Sequence, residues 1–237
     1  MDKKELRNGW MGKKKAVTLS YDDGVVQDIR LIALLDKYGL KCTFNLIPAR
    51  QSRARIVQKP PITVQNLDMK ELPSVYAHHE VAGHTWSHPH LERLTDEEIF
   101  DEIYRCQDTL SQLFSRPIYG MAYPYGTYDE RVVRAAQKCG VQYARTCVQT
   151  YDFSVSDALL TLPTTCRHAA PQLLRLAEDF VALSPDEPCL FYLWGHSYEF
   201  DQFDQWELME EFCKIISRRD DIFYGTNSEV LLGKSQV

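Results

Sequence analysis

Apolar and polar positions alternate between two periods along nearly the whole chain, and the switches mark the elements. Residues 15–21, Lys-Ala-Val-Thr-Leu-Ser-Tyr, read as a strand that stops at Asp22-Asp23-Gly24. Ile29, Ile32, Leu35 and Tyr38 then recur at helical spacing, so residues 28–38 form a helix that Gly39 ends. A second strand covers 41–47 before Pro48. Residues 49–70 are polar and contain Pro60-Pro61; they read as a long excursion with a short helix near 68–72. A third strand within 75–83 delivers a histidine-rich segment.

Thr95-Asp96-Glu97-Glu98 has the form of a capping box, in which Thr95 accepts from a backbone N–H three residues on and Glu98 reaches back; its helix runs to about 114. A strand at 118–122, a helix at 129–138 and a strand at 141–145 follow, with Gly140 between the last two. Residues 147–168 carry no clear period, with 159–162 the best strand candidate. Pro171 suits the first turn of a helix reaching 183, and the apolar run 189–194 reads as a strand buried on both faces. A helix at 204–217, a strand at 222–224 and a C-terminal helical turn complete the pattern.

Strands alternating with helices imply parallel pairing, in a barrel or a doubly wound sheet. The chemically capable residues follow many different strands: Asp22 and Asp23, His84 and His88, Tyr125, and His196. An open sheet gathers its site at one switch point, whereas a barrel gathers many strand ends around one mouth, so the pattern favours a barrel. With 237 residues and no break in composition, one domain spanning 1–237 is expected.

Composition narrows the partners. Hydrophobic residues make up 44% and charged residues 25%, an ordinary globular balance, and the net charge of -6 disfavours a phosphate backbone as ligand. No stretch has the length of a membrane span, and the charged start (residues 1–5) is not followed by the apolar run of a leader. The seven cysteines are scattered with no C-x-x-C spacing, which predicts free thiols. A cytoplasmic location, without nucleic-acid or membrane partners, is therefore expected.

Two carboxylates at one strand end and two histidines four apart supply the parts of a site for a water-activating metal. Adjacent strand residues point to opposite faces, so Asp22 and Asp23 should divide their work, one toward the metal and one toward water. His84 and His88 lie one turn apart on one side if the segment is helical, a turn that Pro89 would end. Five of the seven histidines (His78, His79, His84, His88, His90) fall within thirteen positions. At most one of His78 and His79 can face the centre, and His90 is read as solvated or just behind the ligands. Tyr123-Pro124-Tyr125-Gly126 could offer the Tyr125 N–H to a developing oxyanion, and His196 is placed as a general acid.

These residues together resemble the polysaccharide deacetylase family (NodB-homology, carbohydrate esterase family 4). Its T-F-D-D-G motif is similar to Ser20-Tyr21-Asp22-Asp23-Gly24, its H-S/T-x-x-H motif matches His84 to His88, its R-x-P-Y-G motif matches Pro124-Tyr125-Gly126, and its L-x-H motif is similar to Trp194-Gly195-His196. The resemblance spans roughly residues 16–196 and implies a distorted (β/α) barrel of about seven parallel strands, with a divalent metal, usually zinc. It implies Asp22 as general base, Asp23, His84 and His88 as ligands, Tyr125 as an oxyanion donor and His196 as the acid. It also implies removal of an acyl group, most often N-acetyl, from a sugar or oligosaccharide. The donor set itself would also accept cobalt, manganese or nickel.

The chain departs from that pattern. The third motif's arginine falls at Ala122, the fourth motif's Asp-Trp pair has only Tyr151-Asp152-Phe153 near it, and the fifth motif's leucine is Trp194, a larger wall for an acyl pocket. Arg145 is the candidate to supply the missing guanidinium, and His168 to join the site from its loop. The departures keep two other readings open: hydrolysis of a different C–N bond in a small amide or ureide, and a barrel that binds ligand with little turnover.

Overall fold

A computed structural model describes residues 10–236; the charged start read above lies outside it. Strand β1 (Lys15–Asp22) sets the pattern of the whole. Val17, Leu19 and Tyr21 on one face enter the main apolar core. On the other face Thr18 donates to Asn227 and Ser20 accepts from Asn45. The alternation is therefore apolar toward the helices and polar toward the inside of the sheet.

The parallel sheet contains β2 (Cys42–Leu46), β5 (Glu80–Gly83), β6 (Gly120–Ala122), β7 (Tyr143–Gln149), β8 (Leu162–Thr164), β9 (Cys166–Arg167), β10 (Cys189–Gly195) and β11 (Ile222–Tyr224). Its order is β8-β7-β6-β5-β2-β1-β10-β9, with β11 also on β1. The two ends of this path are consecutive in the chain, separated only by Thr165. The Thr165 N–H donates to the Tyr192 carbonyl, and the Tyr192 N–H to Thr165 Oγ1, so the path closes into a distorted barrel. β11 pairs with residues 15–17 of β1 and β2 with residues 19–22, so the two share one edge of that strand.

Helices α1 (Gln27–Tyr38), α2 (Leu72–Val75), α3 (Asp96–Phe114), α4 (Glu130–Lys138), α5 (Leu173–Ala182), α6 (Tyr198–Gln202), α7 (Trp206–Ile216) and α8 (Asn227–Leu232) complete the fold. The expected capping box opens α3, and Gly39, at φ 68°, ends α1. The inner end of the barrel is closed by polar groups. The N-terminus of α8 donates its Ser228 N–H to Glu80 at 2.8 Å, and Thr43 and Tyr143 hydroxyls donate to the same carboxyl. Close passage of β6 over β7 requires Gly120, because a Cβ there would lie 2.0 Å from the Tyr143 ring.

Several expectations need correction. The polar excursion contains an antiparallel hairpin, β3 (Ala54–Val57) with β4 (Ile62–Gln65), and its helix falls at 72–75 rather than 68–72. Val57, Ile62 and Val64 give the hairpin just enough apolar surface to pack on Val25 and Tyr198. Residues 159–161 form a 3₁₀ turn and the strand starts at Leu162. His78 and His79 precede β5 instead of lying in it, and α6 was not foreseen.

Asp28, in the first turn of α1, is fully buried and accepts from Ser197 Oγ at 2.5 Å, Tyr76 Oη at 2.6 Å and the Val25 N–H. Burial raises its carboxyl from the ordinary 3.8 to about 7, against the pull of these donors. Between those values the folded chain holds a proton that the unfolded chain releases, so this group's contribution to stability falls as pH rises toward 7. Relative to Asp28→Asn, the wild type should lose on the order of 4 kcal/mol between about pH 4 and pH 7.5 in urea unfolding. A difference that does not change with pH contradicts this assignment.

Candidate metal centre and active site

Asp22 closes β1 directly opposite Asn45 of β2. Asn45 Nδ2 donates to its Oδ1 at 2.8 Å, and Arg145 Nη2, reaching across the barrel from β7, donates to its Oδ2 at 2.5 Å. Burial would raise this carboxyl, but Arg145, His84 and His196 outweigh it and hold it below the usual range. Asp22 is thus an ionised carboxylate with both oxygens held.

The next residue leaves the strand. Asp23 sits at φ 87°, its N–H still donating to the Asn45 carbonyl, while Asn66 Nδ2 grips its carbonyl at 2.5 Å. That left-handed turn breaks the strict alternation and separates the work of the two carboxylates. Arg55 of the hairpin pairs with Asp23 Oδ2 at 2.5 Å, whereas Oδ1 is buried with no hydrogen-bond partner. Asp23 is also held low: burial opposes ionisation, and His196, Arg55 and His84 overcome it.

His84 follows β5. A carbonyl can only accept, so the 2.7 Å contact of Nδ1 with Ala122 O fixes the proton on Nδ1 and leaves Nε2 free as a ligand. The 84–88 segment is not the helical turn expected from its spacing. Thr85 and His88 both adopt positive φ, at 62° and 65°, and Thr85 Oγ1 accepts from the His88 N–H at 3.0 Å. The irregular turn nonetheless brings the two rings 4.6 Å apart. Burial pushes both imidazoles down, His88 to about 3, so they are neutral. Asp23, His84 and His88 offer three donor atoms within 4.8 Å of one another. One orphaned carboxylate oxygen and two neutral imidazoles form a donor set that fits a divalent cation.

His196 follows β10, with Nε2 4.0 Å from Asp22 Oδ2. Its Nδ1 lies 3.3 Å from Glu199 Oε1. Glu199 also meets Arg167, and its Oε2 lies 3.1 Å from His168 Nε2. Burial alone would lower His196, but Glu199, Asp23 and Asp22 raise it overall, while the imidazoles drive Glu199 well below the carboxylate range despite its burial. His168 is fully buried, stacked on Tyr21 and tilted against Phe200 behind Glu199, so its link to the site runs through that carboxylate. Gly195 makes room for it, since a Cβ there would meet His168 Nδ1 at 1.9 Å.

Tyr125 stands at φ 59° and is 53% exposed as a residue, its ring stacked on His90 at 3.9 Å and edge-on to His88. His90 is therefore backing for Tyr125, and it contacts Glu92. Trp194 lines the interior beneath two guanidiniums, Arg145 at 4.6 Å and Arg167 at 5.7 Å from its ring centre. Sequence reasoning missed Asn45, Arg55, Asn66 and Glu199. Asn45 falls on the polar face of its strand and Glu199 three residues after His196, both readable signals. Nothing near Arg55 marks it, because the hairpin's return path decides where it lands.

Comparison with known proteins agrees with this geometry. The profile of the polysaccharide deacetylase family matches residues 11–144, more than half of the chain. The peptidoglycan-N-acetylglucosamine deacetylase PgdA of Listeria monocytogenes is 23% identical over 196 residues; the match covers 81% of this chain but 38% of that protein. Among solved structures, a putative polysaccharide deacetylase from Mycobacterium smegmatis superposes with TM-score 0.69 at 17% identity, over 92% of this chain and 89% of the other. A protein of Bacillus anthracis described as a CE4 family pseudoenzyme has TM-score 0.55 at 17% identity, covering 92% of this chain and 66% of its own. With the barrel, the strand-end carboxylates and the two histidines in place, the chain belongs to the polysaccharide deacetylase family.

Proposed function

We propose that the protein is a metal-dependent hydrolase that removes an acyl group, foremost N-acetyl, from an amino sugar or short oligosaccharide. The observation carrying this reading is the joint approach of Asp23, His84 and His88 beside a separately held Asp22. A divalent cation bound there, zinc foremost, supplies a Lewis acid that polarises the acyl carbonyl and makes water nucleophilic near neutral pH. Asp22 takes the proton of the attacking water. Arg145 and Asn45 hold its two oxygens so that it stays ionised and aimed, which supports Arg145 in the role of the arginine absent at Ala122. The Tyr125 N–H donates to the developing oxyanion. His196 Nε2 delivers a proton to the leaving nitrogen, while the Glu199 carboxylate, 3.3 Å from Nδ1, favours the charged ring.

The same machinery would cleave another C–N bond in a small amide or ureide. Trp194, under two guanidiniums where the family has leucine, favours that second reading by reshaping the acyl pocket. Loss of turnover, as in a binding barrel, is disfavoured by the retention of an ionised Asp22 and a paired His196.

Four outcomes are expected. Purified protein should carry about one equivalent of divalent metal by elemental analysis, and His84→Ala/His88→Ala almost none. The metal-loaded protein should release acetate from N-acetylglucosamine oligomers; cleavage confined to sugar-free amides would transfer the assignment to the second reading, and no cleavage of either would favour a binding barrel. Asp22→Asn should bind metal normally yet lose at least about a hundredfold in kcat, with Arg145→Ala losing somewhat less; full activity in Asp22→Asn removes the base assignment. Glu199→Gln should lower kcat about tenfold or more with little change in KM, and Glu199→Asp should recover part of it; an unchanged kcat removes Glu199 from the account.

A further inference from the structure

Asp23 differs from Asp22 in how its oxygens are used. Arg145 and Asn45 occupy both oxygens of Asp22, but on Asp23 one oxygen is bound and the other bare. The bound one, Oδ2, faces Arg55 Nη2 at 2.5 Å. Arg55 is itself directed: Nη1 donates to Asn66 Oδ1 at 3.0 Å, Asn66 Nδ2 returns to the Asp23 carbonyl, and the guanidinium lies over the Tyr198 ring. The hairpin that carries Arg55 packs on Val25 and Tyr198.

We infer that Arg55 is a positioning residue that caps Oδ2 of Asp23 and restricts this carboxylate to ligating the metal through Oδ1 alone. The inference rests on the metal-site reading above. A free carboxylate can chelate a divalent ion through both oxygens, which fills a coordination position and donates more charge. A charge-assisted hydrogen bond on Oδ2 removes that option. It also sets a guanidinium close to a dication, so Arg55 weakens binding and leaves the ion more electron-poor. The charges support this: Asp22 and Asp23 bring two negatives, and Arg145 and Arg55 return two positives before any metal enters. The hairpin thus exchanges metal affinity for an open coordination position.

The test uses cobalt(II) alone, added to metal-free wild type, Arg55→Gln and Arg55→Lys, read by visible absorption and by competition with a chelator. Arg55→Gln should bind cobalt about tenfold more tightly, and its visible band should fall to about half or less as the freed oxygen raises the coordination number. Arg55→Lys keeps the charge and should return the affinity to within about threefold of wild type. An unchanged band and affinity in Arg55→Gln overturns the inference, and so does weaker binding, which would make Arg55 a support for ligation. Failure of the wild type to bind one equivalent of cobalt would defeat the metal-site reading itself, on a sample that Arg55 variants do not enter.

Discussion

Two neighbouring carboxylates, Asp22 and Asp23, are buried at the end of one strand, and much of the site follows from what it takes to keep both ionised. Side by side in a low-dielectric interior, two such groups would share a proton. Here each has its own guanidinium, and the two arrive by different routes. Arg145 comes from β7, across the barrel, so its pairing with Asp22 requires the sheet to curl. Arg55 comes from a hairpin inserted between β2 and β5, outside the barrel rhythm. Such pairs are not a source of net stability, since desolvation offsets their attraction. Their effect is to hold a reactive charge state in place, and removing one partner would leave an uncompensated charge.

The backbone around the site is as unusual as its charges. Asp23, Thr85, His88 and Tyr125 all have positive φ without being glycine, and each belongs to or touches the proposed metal centre. L-residues adopt that region at some cost, and such strain persists only where other contacts over-determine it. The contacts are visible: Asn66 on the Asp23 carbonyl, Thr85 Oγ1 on the His88 N–H, His90 stacked beneath Tyr125. Strain lets side chains from a strand end and two loops converge on one point, which regular strands could not do.

This explains what could be read from the chain and what could not. The strands leading to Asp22, His84 and His196 were legible because an alternating run (β1), a continuous apolar run (β10) and terminal turns are local signals, as were the capping box of α3 and the glycine ending α1. The candidate ligand pair was legible by spacing but its geometry was not: His84 and His88 suggest a helical turn, and the left-handed residues between and at them override it. Arg145 could be guessed because the sequence pattern ends a strand there, although β7 runs on to Gln149. Arg55 could not, because its place depends on where a short hairpin folds back. The short helix that carries Glu199, α6, is too brief to show a period, so only the carboxylate's place three residues after His196 marked it.

The account depends on one cation shared by Asp23, His84 and His88, with Asp22 outside its ligand set. Anomalous diffraction at the zinc edge from zinc-soaked crystals tests this most directly. The account predicts a single peak bounded by the Asp23 carboxylate and both imidazoles, with Asp22 still paired to Arg145. A peak held by Asp22, or zinc bound elsewhere while these three residues stay apart, would contradict it.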